Sequence, residues 1–201
     1  MTTMVGLDVI NAWSEPFNIY LNGSRLNTTS VIQSGFSTGY LSVPAGPQAY
    51  QVKAPFNIAT STIQTLFSIT VPTPADVYPN HTLFVTDANL NDAFVTVDNL
   101  PADTATYIRL VNSSPGSGAL DMAFGNATPA TNIPFKKASE FKLVSITNGA
   151  SPSGQIALKL FNTGTSTPLY IDSVGFTQGS YTIYTLGTPG TAGFSIGIRQ
   201  D

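Results

Sequence analysis

Cysteine is absent from this sequence, which excludes disulfides, thiolate nucleophiles and zinc–thiolate centres. Histidine occurs once, as His81, and tryptophan once, as Trp13. Charge is also scarce. Asp, Glu, Lys and Arg make up 9% of the 201 residues, against roughly 25% in an average soluble domain. Eight basic side chains and a formal net charge of −3 leave no cationic stripe to displace counterions from phosphates, so a nucleic-acid partner is not expected. The same deficit argues against adsorption to an anionic membrane. No apolar run approaches the ~18 residues of a spanning helix, so this segment is not expected to insert into a bilayer. Met1-Thr2-Thr3-Met4 lacks the basic region and apolar stretch of a signal peptide, which leaves either a cytosolic protein or a mature chain whose leader has been removed; composition and the resemblance described below favour the second.

What fills the sequence instead is Thr, Ser and Asn, together with 17 Gly and 14 Pro. Threonine suits the pleated, half-buried surface of a strand, whereas Asn, Ser, Gly and Pro suit tight connections. Alternation is clear in Phe17-Asn18-Ile19-Tyr20-Leu21, where the odd positions are apolar, as one buried sheet face requires. Asn22-Gly23 follows, and both residues tolerate the positive φ of a two-residue hairpin turn. Val43-Pro44-Ala45-Gly46-Pro47 ends one strand and turns into the next, because proline cannot donate to a central ladder. No stretch carries a sustained helical period. In the first half, strands are expected at about 5–11, 17–21, 30–33, 37–43, 48–54, 62–71, 81–86 and 93–98.

The sequence also resembles itself. Leu7-Asp8-Val9-Ile10-Asn11-Ala12 parallels Ile108-Arg109-Leu110-Val111-Asn112-Ser113. His81-Thr82-Leu83-Phe84-Val85-Thr86 parallels Tyr181-Thr182-Ile183-Tyr184-Thr185-Leu186, and Phe94 and Phe194 then open the last strand of each half. Several matches in one register predict a duplication, with domains at 1–100 and 101–201 joined through Leu100-Pro101-Ala102-Asp103-Thr104. Regular strand spacing with Gly/Pro punctuation predicts an all-β fold of two tandem antiparallel β-sandwiches.

Three motifs tie the sequence to a known family: Ile108-Arg109-Leu110-Val111-Asn112-Ser113-Ser114-Pro115, the alternating strand ending in Asn22-Gly23, and Leu41-Ser42-Val43-Pro44-Ala45-Gly46. With them the chain resembles the tandem-repeat domain-of-unknown-function family DUF4397 of bacterial cell-surface lipoproteins. The resemblance implies immunoglobulin- or transthyretin-like sandwiches, an extracytoplasmic location at the surface or in the outer membrane or periplasm of a Gram-negative bacterium, and an N-terminal lipid anchor on the precursor. It implies no catalytic residues and no cofactor.

Reading the residues for chemistry yields little that is reactive, and the expectation is a non-enzymatic protein. His81 has no nucleophile elbow to serve and is expected as a surface residue at a strand start. Asp87, Asn89 and Asn91, with Asp98 at the twelfth position, have the oxygen spacing of a calcium loop, but Asp92 stands where the sharp turn wants glycine; a solvated hairpin loop is the default. Aromatic residues remain. Trp13, in a loop before a proline, is the expected exposed anchor, and Tyr20 and Tyr40 are further candidates for stacking on a partner. Two functions compete: a structural or adhesive surface module that binds a protein partner, and a carbohydrate-binding module that uses these rings on a glycan.

Overall fold

The computed structural model describes residues 3–28, 30–55, 65–73, 80–87, 92–146 and 154–201. The chain divides into two compact units, Met1–Asn99 and Leu100–Asp201. Among the described residues every regular element is a strand.

Unit 1 contains β1 (Met4–Asn11), β2 (Asn18–Leu21), β3 (Ser24–Arg25), β4 (Leu41–Pro44), β5 (Gly46–Lys53), β6 (Thr65–Thr73), β7 (Asn80–Val85) and β8 (Phe94–Val97). They form two sheets, β4-β1-β7-β8 and β3-β2-β5-β6. Leu7, Val9, Leu83 and Val85 from the first sheet meet Phe17, Ile19, Tyr50 and Val52 from the second in one buried cluster, so the unit is a β-sandwich. Asn22 (φ 50°) and Gly23 (φ 83°) both occupy the left-handed region, as a type I′ turn between β2 and β3 demands.

Unit 2 contains β9 (Thr106–Asn112), β10 (Leu120–Phe124), β11 (Ala127–Ile133), β12 (Lys137–Ala138), β13 (Lys142–Leu143), β14 (Ile156–Asn162), β15 (Pro168–Val174), β16 (Gly179–Leu186) and β17 (Ser195–Gln200). Its sheets run β12-β9-β16-β17, with β13 also on β9, and β11-β10-β14-β15. The strand order is that of unit 1. Ile108, Leu110 and Ile183 pack there on Leu120, Met122, Leu158 and Leu160.

Two features depart from the expected all-antiparallel pattern. The first strand of each unit lies between an antiparallel and a parallel neighbour: β1 between β4 and β7, and β9 between β12 and β16. Parallel strands cannot be joined by a hairpin, and here most of the unit's chain separates them, a distance over which local periodicity carries no direction. The segments expected as strands at 30–33 and 37–43 shrink to isolated bridges, Phe17 with Ile32 and Ile10 with Ser37, ahead of a short β4. Gly35 (φ 76°) and Gly39 (φ 67°) break this stretch, and the Thr38 hydroxyl accepts from Val9 N at 3.0 Å where a ladder carbonyl would otherwise sit.

Pairing register also corrects the self-comparison at the chain ends. Phe94 faces Phe84 across β7–β8, whereas Tyr184, the counterpart of Phe84, faces Gly197 across β16–β17. Gly197 therefore holds the place of Phe94. Phe194 lies in the unit 2 core, while Phe94 stacks on Phe84 with ring centroids 5.1 Å apart.

Candidate functional site

The first sheet pairing that unit 1 gives up borders a recess. β3 is only two residues long, and after Leu26, whose N–H still donates to Ile19 O at 2.9 Å, the chain leaves the sheet. Asn27 takes over the vacated edge. Its Oδ1 accepts from Ile19 N at 2.9 Å, and its Nδ2 donates to Asn18 Oδ1 at 2.8 Å and Ser30 O at 2.6 Å. In unit 2 the corresponding strand, β11, runs seven residues along β10 instead. The displaced segment of unit 1 encloses a groove of about 330 Å³, with Leu26, Val31 and Leu41 as apolar lining and Phe36 at its rim. None of its eleven lining residues is charged.

The groove's frame is rigid while its rim is open. Asn11 N donates to Phe36 O (2.9 Å), Gly35 N to Asn11 O (2.8 Å) and Phe36 N to Gln33 O (3.0 Å), pinning the turn on β1. Phe36 is nevertheless 64% exposed. The side chains of Thr28, Ser30 and Gln33 form no hydrogen bond with any described residue, so their polar groups face solvent.

A second polar constellation lies on the face of the β4-β1-β7-β8 sheet opposite the core. Asp98 is buried and accepts from Tyr40 Oη at 2.7 Å and Thr82 Oγ1 at 2.6 Å, with Thr96 Oγ1 at 3.4 Å. Asp8, also buried, accepts from Thr38 Oγ1 at 3.0 Å. Unit 2 repeats the motif in altered chemistry. Thr182 Oγ1 donates to Asp201 Oδ2 at 2.7 Å, and Arg109 Nε donates to Thr182 Oγ1 at 2.8 Å. Arg199 forms an ion pair with Asp201. Both arrangements satisfy a desolvated carboxylate, as burial of such a group requires.

The three aromatic residues singled out in the sequence are not brought together at the groove. Trp13 is half-buried and packs on the unit 1 core, its backbone N–H held by Asn11 Oδ1 at 2.9 Å. Tyr20 is buried, with the Lys53 ammonium 4.3 Å from its ring centroid. Tyr40 is 37% exposed, but its hydroxyl is committed to Asp98. Of the calcium-loop residues, Asn89 and Asn91 lie outside the described residues, Asp87 is half-buried, and Asp98 is the hydroxyl acceptor just described. Among the described residues no three His, Cys, Asp or Glu side chains gather as a metal site would need, and no helix is long and apolar enough to cross a membrane.

His81 corrects its expected position. It is fully buried, on the same side of β7 as the core residues Leu83 and Val85. Neither ring nitrogen has a hydrogen-bond partner. A buried unsatisfied polar group costs about 1–3 kcal/mol. His81→Leu is therefore expected to stabilise unit 1 by about 1 kcal/mol, read as a higher denaturant midpoint of Trp13 fluorescence; a lower midpoint would count against the orphaned imidazole.

Tyr50 carries the same liability. Its hydroxyl is buried without a partner, and burial pushes its pKa from 10.0 up to about 12. The folded state thus holds this proton more tightly than the unfolded chain does. The resulting stabilisation is complete below pH 10 and is lost as pH rises through about 12. Tyr50→Phe should flatten the fall in unit 1 stability across that window without weakening it at neutral pH. Parallel pH series of Trp13-monitored unfolding for the two chains test this, and superimposable alkaline limbs would refute it.

Comparison with known proteins adds a family. Residues 5–123 match the family described as a domain of unknown function, DUF4397. No curated protein matches the chain. Solved structures include a family 26 carbohydrate-binding module of Eubacterium rectale Amy13K in complex with maltoheptaose, at 9% identity and a TM-score of 0.28, covering 99% of this chain and 97% of that one. A candidate cell adhesion protein of Bacteroides fragilis aligns at 8% identity and TM-score 0.23 over 99% and 98% of the two chains. Another from Bacteroides uniformis aligns at 10% and 0.22 over 98% of each.

Proposed function

Because the chain belongs to the DUF4397 family, we propose that it is a non-enzymatic, extracytoplasmic module of the bacterial cell surface with a structural or adhesive role. In this reading the two units are tandem copies of one domain, supported by their shared strand order and by matching bonds: Val9 N to Thr38 Oγ1, and Leu110 N to Ser139 Oγ. A Gram-negative envelope and a lipid anchor on the precursor follow from the family resemblance. The observation that carries the adhesive role is the unit 1 groove, a pre-formed, uncharged recess with an exposed aromatic ring at its mouth. Nothing in it supplies an acid, a base or a nucleophile pair, so its use is to hold a partner.

Antibody against the chain should label intact producing cells, and beads coated with it should adhere to cell surfaces more than beads coated with Phe36→Ala/Gln33→Ala. Labelling only after permeabilisation would overturn the location, and equal bead retention would overturn the adhesive role. The carbohydrate-binding alternative gains from the same groove rather than from Trp13 and Tyr20, which are packed into the fold.

A further inference from the structure

We infer that the unit 1 groove is a binding site for a neutral glycan, with Phe36 as the stacking platform and Thr28, Ser30 and Gln33 as the hydrogen-bonding rim. The inference deepens the adhesive reading of the groove and rests on it.

Charge decides the first step. With no Asp, Glu, Lys, Arg or His among the described lining residues, an ionic ligand would shed hydration and gain no counter-charge there. The occupant is therefore neutral. Its polarity follows from the rim. Three side chains, two hydroxyls and an amide, have unused donors and acceptors, and they stand beside an apolar ring that is 64% exposed. A ligand that matches them must offer hydroxyls at its edge and an apolar face to the ring, which is the amphiphilic character of a pyranose.

Backbone accounting separates this from a peptide. An extended peptide would dock by pairing with a free strand edge. Here no continuous strand edge is on offer, because the segment meets the sheets through isolated bridges. Ile32 N donates to Phe17 O at 2.8 Å and Ile32 O accepts from Phe17 N at 3.2 Å, while Thr38 N donates to Val9 O at 3.1 Å and both polar backbone atoms of Phe36 are bonded. What the groove offers is side-chain hydroxyls, an amide and a ring, held on a turn whose conformation is fixed before any ligand arrives. Its volume lies at the lower end for small-molecule sites, which suits recognition of one or two sugar units of a longer polymer.

Affinity gel electrophoresis of the full chain through pullulan, laminarin, xylan and galactomannan, with polygalacturonate as an acidic control, tests the assignment. At least one neutral polymer should retard the wild type. Phe36→Ala should weaken that retardation on the order of tenfold or abolish it, Phe36→Trp should retain it, and Gln33→Ala should reduce it. Because Phe36 is exposed, the Trp13 unfolding midpoint should not move in these variants, which separates lost binding from lost fold. Retardation by none of the neutral polymers, by polygalacturonate alone, or equally in Phe36→Ala would overturn the proposal. If the polymers fail while coated beads still adhere through the groove, the partner is a protein; the adhesive reading then survives and the glycan assignment does not.

Discussion

Asn11→Ala is expected to lower the stability of unit 1 by about 3 kcal/mol, a large fraction of what a domain this size possesses. Asn11 ends β1 fully buried, and all of its amide is in use. Nδ2 donates to Glu15 O and Ile32 O, both at 2.8 Å, and Oδ1 accepts from Trp13 N at 2.9 Å. The side chain thereby ties two connections to the central strand of the sheet. Alanine would remove the partner of the Trp13 N–H and of the Glu15 carbonyl, and would leave the Ile32 carbonyl only its bond from Phe17 N. Asn11→Asp is the sharper test, since the shape is kept but a carboxylate would face two carbonyl oxygens; it should cost at least as much. Unit 2 holds the same device in Asn112, whose Nδ2 donates to Gly118 O and Ile133 O at 3.0 Å and whose Oδ1 accepts from Ser117 Oγ at 2.9 Å. Denaturant unfolding of Asn11→Ala and Asn112→Ala, with slopes compared to wild type, measures both effects. Losses under 1 kcal/mol would refute the role.

Gly197→Ala should be comparably harmful to unit 2, by about 3 kcal/mol, through overpacking. The ring of Tyr184 lies directly across Gly197 from the neighbouring strand, and an added Cβ would coincide with its Cζ and Cε2. Tyr184 is buried and has little room to swing aside, with buried Val111 beside it in β9. The glycine is there for close approach of a ring, not for an unusual φ, so the penalty is steric. Relieving the ring should therefore relieve the cost: Tyr184→Leu/Gly197→Ala should be more stable than the sum of the single changes predicts. Strict additivity in far-UV circular dichroism melts would show that the clash is not the cause.

The two units solve this spot differently. Phe84 stacks on Phe94 in unit 1, whereas Tyr184 covers a bare strand in unit 2. In the sequence Phe94 and Phe194 look like counterparts, because two phenylalanines at similar spacing are alike. Register is a matter of which hydrogen bonds form between strands, and a shift of that register reassigns every face. The burial of His81 is hidden in the sequence for a related reason. A lone polar residue at a strand start looks like surface, yet its parity with Leu83 and Val85 was the available signal of burial. The groove had fainter cues: Gly35 and Gly39 interrupting an expected strand, and Phe36 between them. The exposure of that ring depends on Asn11, far along the chain, bonding to its turn.

Local rules were thus enough for the class of fold and the hairpin at Asn22-Gly23, since strand periodicity and positive φ are set by residues within a few positions of one another. They were enough, too, for the scarcity of charge that makes the groove neutral. Tertiary structure alone decided that β1 runs parallel to β7, that the Tyr40 hydroxyl reaches Asp98 across 58 residues of chain, and that Phe36 rather than Trp13 is offered to solvent. These depend on which distant groups meet when the sheets close. Apolar alternation specifies that a face will be buried, but the partner that satisfies each buried polar atom is chosen only in the folded chain.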